Sequence, residues 1–295
     1  MALAMIFVLI LGSIWGFATT ASKLALEGYS LMTVVFWYIF IAFVVLLAIV
    51  LVRRTLPPLD WVHLRYYLFN GLIGLTIPAF NNMLVLPHVP AGVMSTVIAT
   101  APLFTYVLAL LANQEGFVPI RAVGVLTGFV GVLCVVLPAG SLPSPEVAGW
   151  VALGLLTPFL YGLNAVFASR FMPPGTDSLA LATGLLGVAV LVFGLSALAS
   201  GEATGIWPPV WPSWYGLVWM GIASSAAYVL YFQIIRMAGP VYMSQVGYVV
   251  VTVGVLAGMA VFGERHSFWV WLGIGLMLAG VTLLNIGQRL AMKRA

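Results

Sequence analysis

Ten stretches of about twenty residues, nearly free of charged side chains, follow one another along the whole chain. No other feature limits the fold as much, because a spanning helix needs roughly 20 mostly apolar residues. With Pro, Gly and charges as punctuation, the stretches are residues 3–25, 31–52, 64–86, 90–112, 119–137, 148–170, 178–199, 213–236, 240–262 and 268–288. Clear breaks fall at 53–60, with Pro57 and Pro58, and at 138–145, 173–177 and 202–212. Thin breaks at Pro87–Pro90 and Gly239–Pro240 read as tight helical hairpins. The bulk numbers agree. Of 295 residues, 63% are apolar and 6% charged, with mean hydropathy +1.16. A soluble domain carries about 25% charged residues, so most of this surface faces lipid. The expected fold is an all-α membrane protein with ten transmembrane helices.

Composition also excludes partners and chemistries. The pI of about 9.3 comes from eleven basic residues scattered singly or in pairs, with no patch for nucleic acid. The one cysteine, Cys134, lies in an apolar run, so no internal disulfide forms and no metal cluster is expected. No cofactor is expected either. The first 26 residues lack a charged n-region, and their apolar run exceeds an ordinary signal h-region, so they read as a spanning helix.

The basic residues orient the bundle. With the N-terminus in the cytoplasm, Arg53, Arg54, Arg65, Arg121, Arg170, Arg236, Arg289, Lys293 and Arg294 fall inside, and Lys23 and Arg265 outside. Nine against two is a strong positive-inside bias, and the acids show none. Both termini are expected in the cytoplasm of a bacterial inner-membrane protein.

The chain also resembles itself at a spacing of 146–150 residues. Trp15-Gly16 matches Tyr161-Gly162; Gly71 and Pro90 match Gly221 and Pro240; Glu115, Gly124 and Gly131 match Glu264, Gly273 and Gly280. Residues 1–137 and 148–295 then form two repeats joined by an outer linker at 138–147. Five helices per half is an odd number, so the halves are expected to be inverted, an arrangement recurrent in secondary transporters.

These residues carry a resemblance. The Trp15-Gly16 start with Lys23 following, Ala101-Pro102 followed by Glu115, the Gly263-Glu264-Arg265 ending of the ninth helix and the Gly-rich tenth resemble the EamA repeat of the drug/metabolite transporter superfamily. The resemblance covers nearly the whole chain and, within the superfamily, is greatest to the YddG-type exporters of aromatic and other apolar amino acids. It implies export of such amino acids. The second half departs from the repeat pattern, with Thr252 at the place of Pro102 and Ser169 at the place of Lys23.

Charged groups inside a membrane are costly and mark function, and none falls in the central third of any stretch. Lys23, Glu115, Arg236 and Glu264 read as interfacial anchors or structural ion pairs. No midplane proton relay is visible, and no buried cation is expected to meet a multiply charged substrate. A neutral or zwitterionic solute fits better. The uncharged polar residues do fall mid-span. Gly74, Pro78 and Asn81 share one helical face, and Asn82 adjoins it; their repeat counterparts are Ser224, Tyr228 and Tyr231. Gln245, Tyr248 and Thr252 line up on the ninth helix, Ser95, Thr96 and Thr100 precede Pro102, and Tyr161 and Asn164 pair on the sixth, with Trp15 the counterpart of Tyr161. Converging, these faces would make an aromatic-walled site with a few hydrogen-bonding groups. The alternative for each polar residue is adhesion between helices. His88 reads as solvent-exposed, and Trp207, Trp211, Trp214 and Trp269 as interface anchors.

Pro78, Pro102 and Pro158 each remove a helical hydrogen bond inside a stretch. The Pro102 kink and the Gly254–Gly258 pair read either as flexing points or as static kinks and close packing. The favoured function is a secondary transporter exporting small neutral or zwitterionic metabolites by alternating access. The alternative is a broad exporter of drug-like or cationic aromatics, using cation–π contacts. No His-Glu-x-x-His run, Gly-x-Ser-x-Gly elbow or paired intramembrane aspartate speaks for an enzyme, and the inverted repeat favours a carrier over a channel. The expected partners are a small-molecule substrate and the lipid bilayer. Gly124-x-x-x-Gly128 hints at a dimer, and the oligomeric state stays open.

Overall fold

A computed structural model describes residues 2–98, 100–114, 116–136, 145–201, 205–244 and 246–292. Among them the fold is helical throughout: α1 (Ala2–Leu26), α2 (Leu31–Arg53), α3 (Trp61–Gly71), α4 (Ile77–Val85), α5 (Ala91–Ile98), α6 (Ala101–Leu111), α7 (Pro119–Val136), α8 (Glu146–Gly154), α9 (Leu156–Phe171), α10 (Ser178–Ser200), α11 (Ser213–Ser244), α12 (Val246–Phe262) and α13 (Phe268–Met292). Seven continuous helical segments are long and apolar enough to cross a membrane, and the shorter apolar helices Pro119–Cys134, Val249–Phe262 and Phe268–Leu284 lie on the other expected stretches. Leu191, Leu195 and Leu198 on α10 are 66%, 67% and 83% exposed on one face, as a lipid-facing surface requires.

The mid-span prolines set where helices divide. Pro78 has no N–H to give the Gly74 carbonyl, and the turn before it widens into a π-helical segment over Leu72–Thr76. Ile77 N–H then reaches back to Leu72, and the Thr76 hydroxyl donates to Gly71 O at 2.8 Å. Before Pro102 the chain turns at Thr100, whose hydroxyl donates to Val97 O at 2.7 Å. Before Pro158 it breaks at Leu155, between α8 and α9. At Gly239–Pro240 the expected break is not found, because α11 continues through both residues to Ser244. A membrane helix tolerates such a proline where neighbours satisfy the freed carbonyl. The expected linker, up to Ser144, lies outside the described residues.

Packing runs between the halves. The α1 helix lies against α11 and α12, α2 against α10 and α11, and α3 with its π segment against α10 and α9. In the same way α5 lies against α12, α6 against α9 and α7 against α13. Exchanging the two halves leaves this pairing scheme unchanged.

Small residues bring the backbones together. A Cβ on Gly280 would fall 2.5 Å from Gly124 O, and one on Gly131 would fall 2.7 Å from Gly273 O. A Cβ on Gly128 would strike the Leu103 side chain. The Gly124-x-x-x-Gly128 spacing thus serves contacts within one chain. Gly280→Val should lower stability by about 2 kcal/mol, since backbone must move to admit the side chain. Thermal unfolding in detergent measures this; an unchanged midpoint would show that the α7–α13 seam is loose.

Candidate functional site

Between the halves lies a cavity of about 420 Å³, within the range of small-molecule sites. Its aromatic wall joins Trp15 on α1 to Tyr228 and Tyr231 on α11 and Tyr161 on α9. The Trp15 and Tyr231 ring centroids are 6.1 Å apart and tilted by 45°. Polar edges come from Asn70, Asn82, Asn164 and Thr19. Asn164 depends on a glycine across the gap, because a Cβ on Gly74 would fall 2.5 Å from its amide nitrogen. Toward the ends of α9 and α11 and the start of α7, the lining continues through Ser169, Met243, Gln114 and Arg121.

At the other end the cavity stops. Thr19 and Ser95 share a hydroxyl–hydroxyl hydrogen bond of 2.5 Å, and Ser95 also donates to Ala91 O at 3.0 Å. A Cβ on Gly254 would fall 2.1 Å from the Ser95 hydroxyl, so α1, α5 and α12 meet here without space between them. One turn beyond Thr19 stands an ionic latch. The Glu264 carboxylate accepts Ala91 N–H at 2.6 Å and Gly92 N–H at 3.0 Å, capping α5, and pairs with Lys23 Nζ at 3.2 Å. A carboxylate is favoured there by the orphan amides and the helix dipole. Lys23 also donates to Val89 O at 3.4 Å. His266 Nε2 lies 3.7 Å from Glu264 Oε2 and is almost fully buried. Gly258 and Gly92 leave room for the two side chains, since a Cβ on either would collide with Glu264 or His266. His88, exposed nearby, stacks on Trp150 with centroids 3.8 Å apart.

The EamA-like transporter family matches residues 2–137 and 148–286. The chain belongs to that family. It is a membrane transporter and not an enzyme. It is similar to the uncharacterized inner membrane transporter YedA of Escherichia coli, 28% identical over 286 residues covering 94% of this chain and 89% of that one. It is also similar to a riboflavin transporter of Brucella anthropi, 27% identical over 213 residues, 69% of this chain and 70% of that one. A crystal structure 18% identical in sequence aligns with a TM-score of 0.70 over 97% of this chain and 98% of its own, which shows the fold.

In this EamA-family chain the sequence-derived residues divide. Trp15, Asn82, Tyr161, Asn164, Tyr228 and Tyr231 line the cavity. Asn81 does not: its amide donates to Leu153 O at 3.1 Å and Thr157 at 2.9 Å, tying α4 to the α8–α9 break. Pro78 sits in the same junction, its carbonyl accepting from the Thr157 hydroxyl at 3.5 Å. Ser95 and Thr100 are fully buried and bonded to backbone carbonyls of their own segment, and Ser224 lies outside the cavity. Gln245, the Tyr248 side chain and Glu115 lie outside the described residues. The expectation that no buried cation is present is corrected. Arg121, counted among the cytoplasmic-side charges, is 5% exposed and lines the cavity. Asn70 was also missed, although it stands one turn before Gly74 and extends the same polar face.

Burial holds the His266 imidazole below the ordinary histidine pKa of 6.5, with the Glu264 charge pulling the other way. The folded protein thus resists a proton that the unfolded chain accepts. This contribution to stability is present above about pH 6.5 and lost as pH falls through the folded value. Thermal midpoints should drop on acidification below about 6.5, and His266→Gln should flatten the drop. Glu264→Ala should destabilise by about 3 kcal/mol, stranding a cation and two amides. Lys23→Ala, at a partly exposed site, should do so by about 1 kcal/mol. Equal losses in the two variants would contradict the capping role of Glu264.

Proposed function

We propose that this transporter is a secondary carrier that exports small zwitterionic or neutral metabolites, amino acids with large aromatic or apolar side chains foremost, by alternating access. The observation that carries the reading is the aromatic-walled cavity between the two halves. Rings of Trp15, Tyr161, Tyr228 and Tyr231 offer an apolar, stackable surface, and the asparagines at its edge suit an amino or carboxyl group. Its place is the bacterial inner membrane, with ten spans as two inverted repeats. The exchange-invariant packing scheme supports a two-fold relation between the halves, five helices per half support its inversion, and the positive-inside bias supports cytoplasmic termini.

In that orientation the Lys23–Glu264 latch faces outward, and the Arg121 end of the cavity faces the cytoplasm. The arrangement is that of an exporter ready to load. Outward release then requires α1 and α5 to part from α12, breaking the latch and the Thr19–Ser95 contact while the opposite end closes. The kinked α5–α6 segment and Gly254–Gly258 on α12 are where we place the flexing. A second reading is a flat heteroaromatic cargo; the relative named a riboflavin transporter and the ring-lined wall favour it. Cationic aromatics are disfavoured, because Arg121 lines the same cavity.

The test is uptake of radiolabelled phenylalanine by proteoliposomes, with and without a pH gradient. Saturable, gradient-independent uptake accelerated by internal phenylalanine is expected of a facilitative carrier, and Trp15→Ala or Tyr231→Ala should each lower kcat/KM about tenfold by removing a ring contact. Uptake seen only with the gradient would replace facilitated by proton-coupled transport. No uptake, with riboflavin transported instead, would overturn the amino-acid assignment and leave the heteroaromatic one.

A further inference from the structure

The cavity carries a charge that a site for purely neutral cargo does not need. Arg121 stands in the first turn of α7 and is 5% exposed, and its guanidinium lies 3.9 Å from the Tyr106 ring centroid. Tyr106 is itself fixed, since its hydroxyl accepts Val118 N–H at 3.1 Å. Gly287 on α13 leaves room for the arginine stem, because a Cβ there would fall 2.4 Å from Arg121 Cγ. Among the described residues lining the cavity, Arg121 bears the one formal charge.

A guanidinium withdrawn from water in a membrane protein is costly, and such groups mark substrate or ion paths. This one is held by a ring face and by helix packing. The guanidinium makes further contacts within the protein, and with five donors it can serve a ligand beside them. Its fork matches a carboxylate, which it can bind through two parallel hydrogen bonds.

We propose that Arg121 is the carboxylate-recognition residue of the transport site, so that the cargo is an aromatic or large apolar compound bearing a carboxylate. The carboxylate docks at the Arg121 end and the apolar part extends toward Trp15 and Tyr231. This assignment rests on the amino-acid reading above and specifies which end of the cargo the protein reads.

The experiment is competition against labelled phenylalanine in proteoliposomes by phenylalanine, phenylpropionate, phenylalaninamide and phenethylamine, for the wild type and for Arg121→Gln and Arg121→Lys. Wild type should be inhibited by the two carboxylates at concentrations about tenfold lower than by the two compounds lacking one. Arg121→Gln should raise the KM for phenylalanine about tenfold or more and abolish that preference, while direct phenylalaninamide transport is not lowered. Arg121→Lys should restore part of the preference. Equal inhibition by all four compounds, or an Arg121→Gln loss equal for acid and amide, would overturn the assignment while leaving the aromatic cavity standing. Competition by none of the four would overturn the amino-acid reading and this assignment with it. If the glutamine variant does not fold, the wild-type series and the lysine variant decide.

Discussion

Lipid gives helices no hydrophobic reason to associate with each other, so close backbone approach has to hold this bundle together. Its glycines provide that approach. Gly124, Gly131 and Gly280 let α7 and α13 touch along their backbones. Gly12 and Gly16 do the same for α1 against α12, where an added Cβ would collide with Val249 or Val253. Because each of these seams joins one half to the other, neither half could keep its packing alone. The cavity follows from this. It is the volume left where the wider side chains of α1, α9 and α11 keep facing helices apart between the tight seams.

The prolines add a second layer. Each frees a carbonyl in a setting where an unpaired one costs several kcal/mol. Around Pro78 and Pro158, side chains of Thr76, Asn81 and Thr157 add bonds to Gly71 O, Leu153 O and Pro78 O, near the carbonyls the prolines leave without a donor. This is why a polar face read along the third stretch divides in space. Asn81 is drawn to the α8–α9 break, while Gly74, inside the π segment, faces Asn164 across the cavity. A regular helix would keep Gly74, Pro78 and Asn81 on one face; the wide turn at Leu72–Thr76 alters that register.

Much of the helical layout was legible because span length and apolar content are properties of local sequence. The aromatic members of the site were legible too, through symmetry: Trp15 and Tyr161 occupy corresponding places, and both reach the cavity. The hydroxyl residues were not. Ser95 and Thr100 look the same in sequence whether they face a cavity or a carbonyl one turn back, and here they bond carbonyls. Arg121 was hidden for a different reason. Two residues from a helix start, an arginine reads as an interfacial anchor, and only the fold reveals that α13 and Tyr106 cover it.

The two ionic features differ in their demands on the membrane. At the latch the Glu264 charge is balanced in place by Lys23 and two amides, so that end is closest to neutrality when shut. In the orientation proposed above, separating it would expose a carboxylate and an ammonium to water, which solvates both well, so parting the latch need not strand a charge in hydrocarbon. Arg121 stands under the opposite condition. The guanidinium is already withdrawn from water against Tyr106 in this conformation, and in the role proposed above a bound carboxylate would bring it a counter-charge where an amide would not. Under the proposed alternating access, a carboxylate cargo would then enter the occluded state with its charge paired, and a single arginine would join recognition of the cargo to the step that moves it.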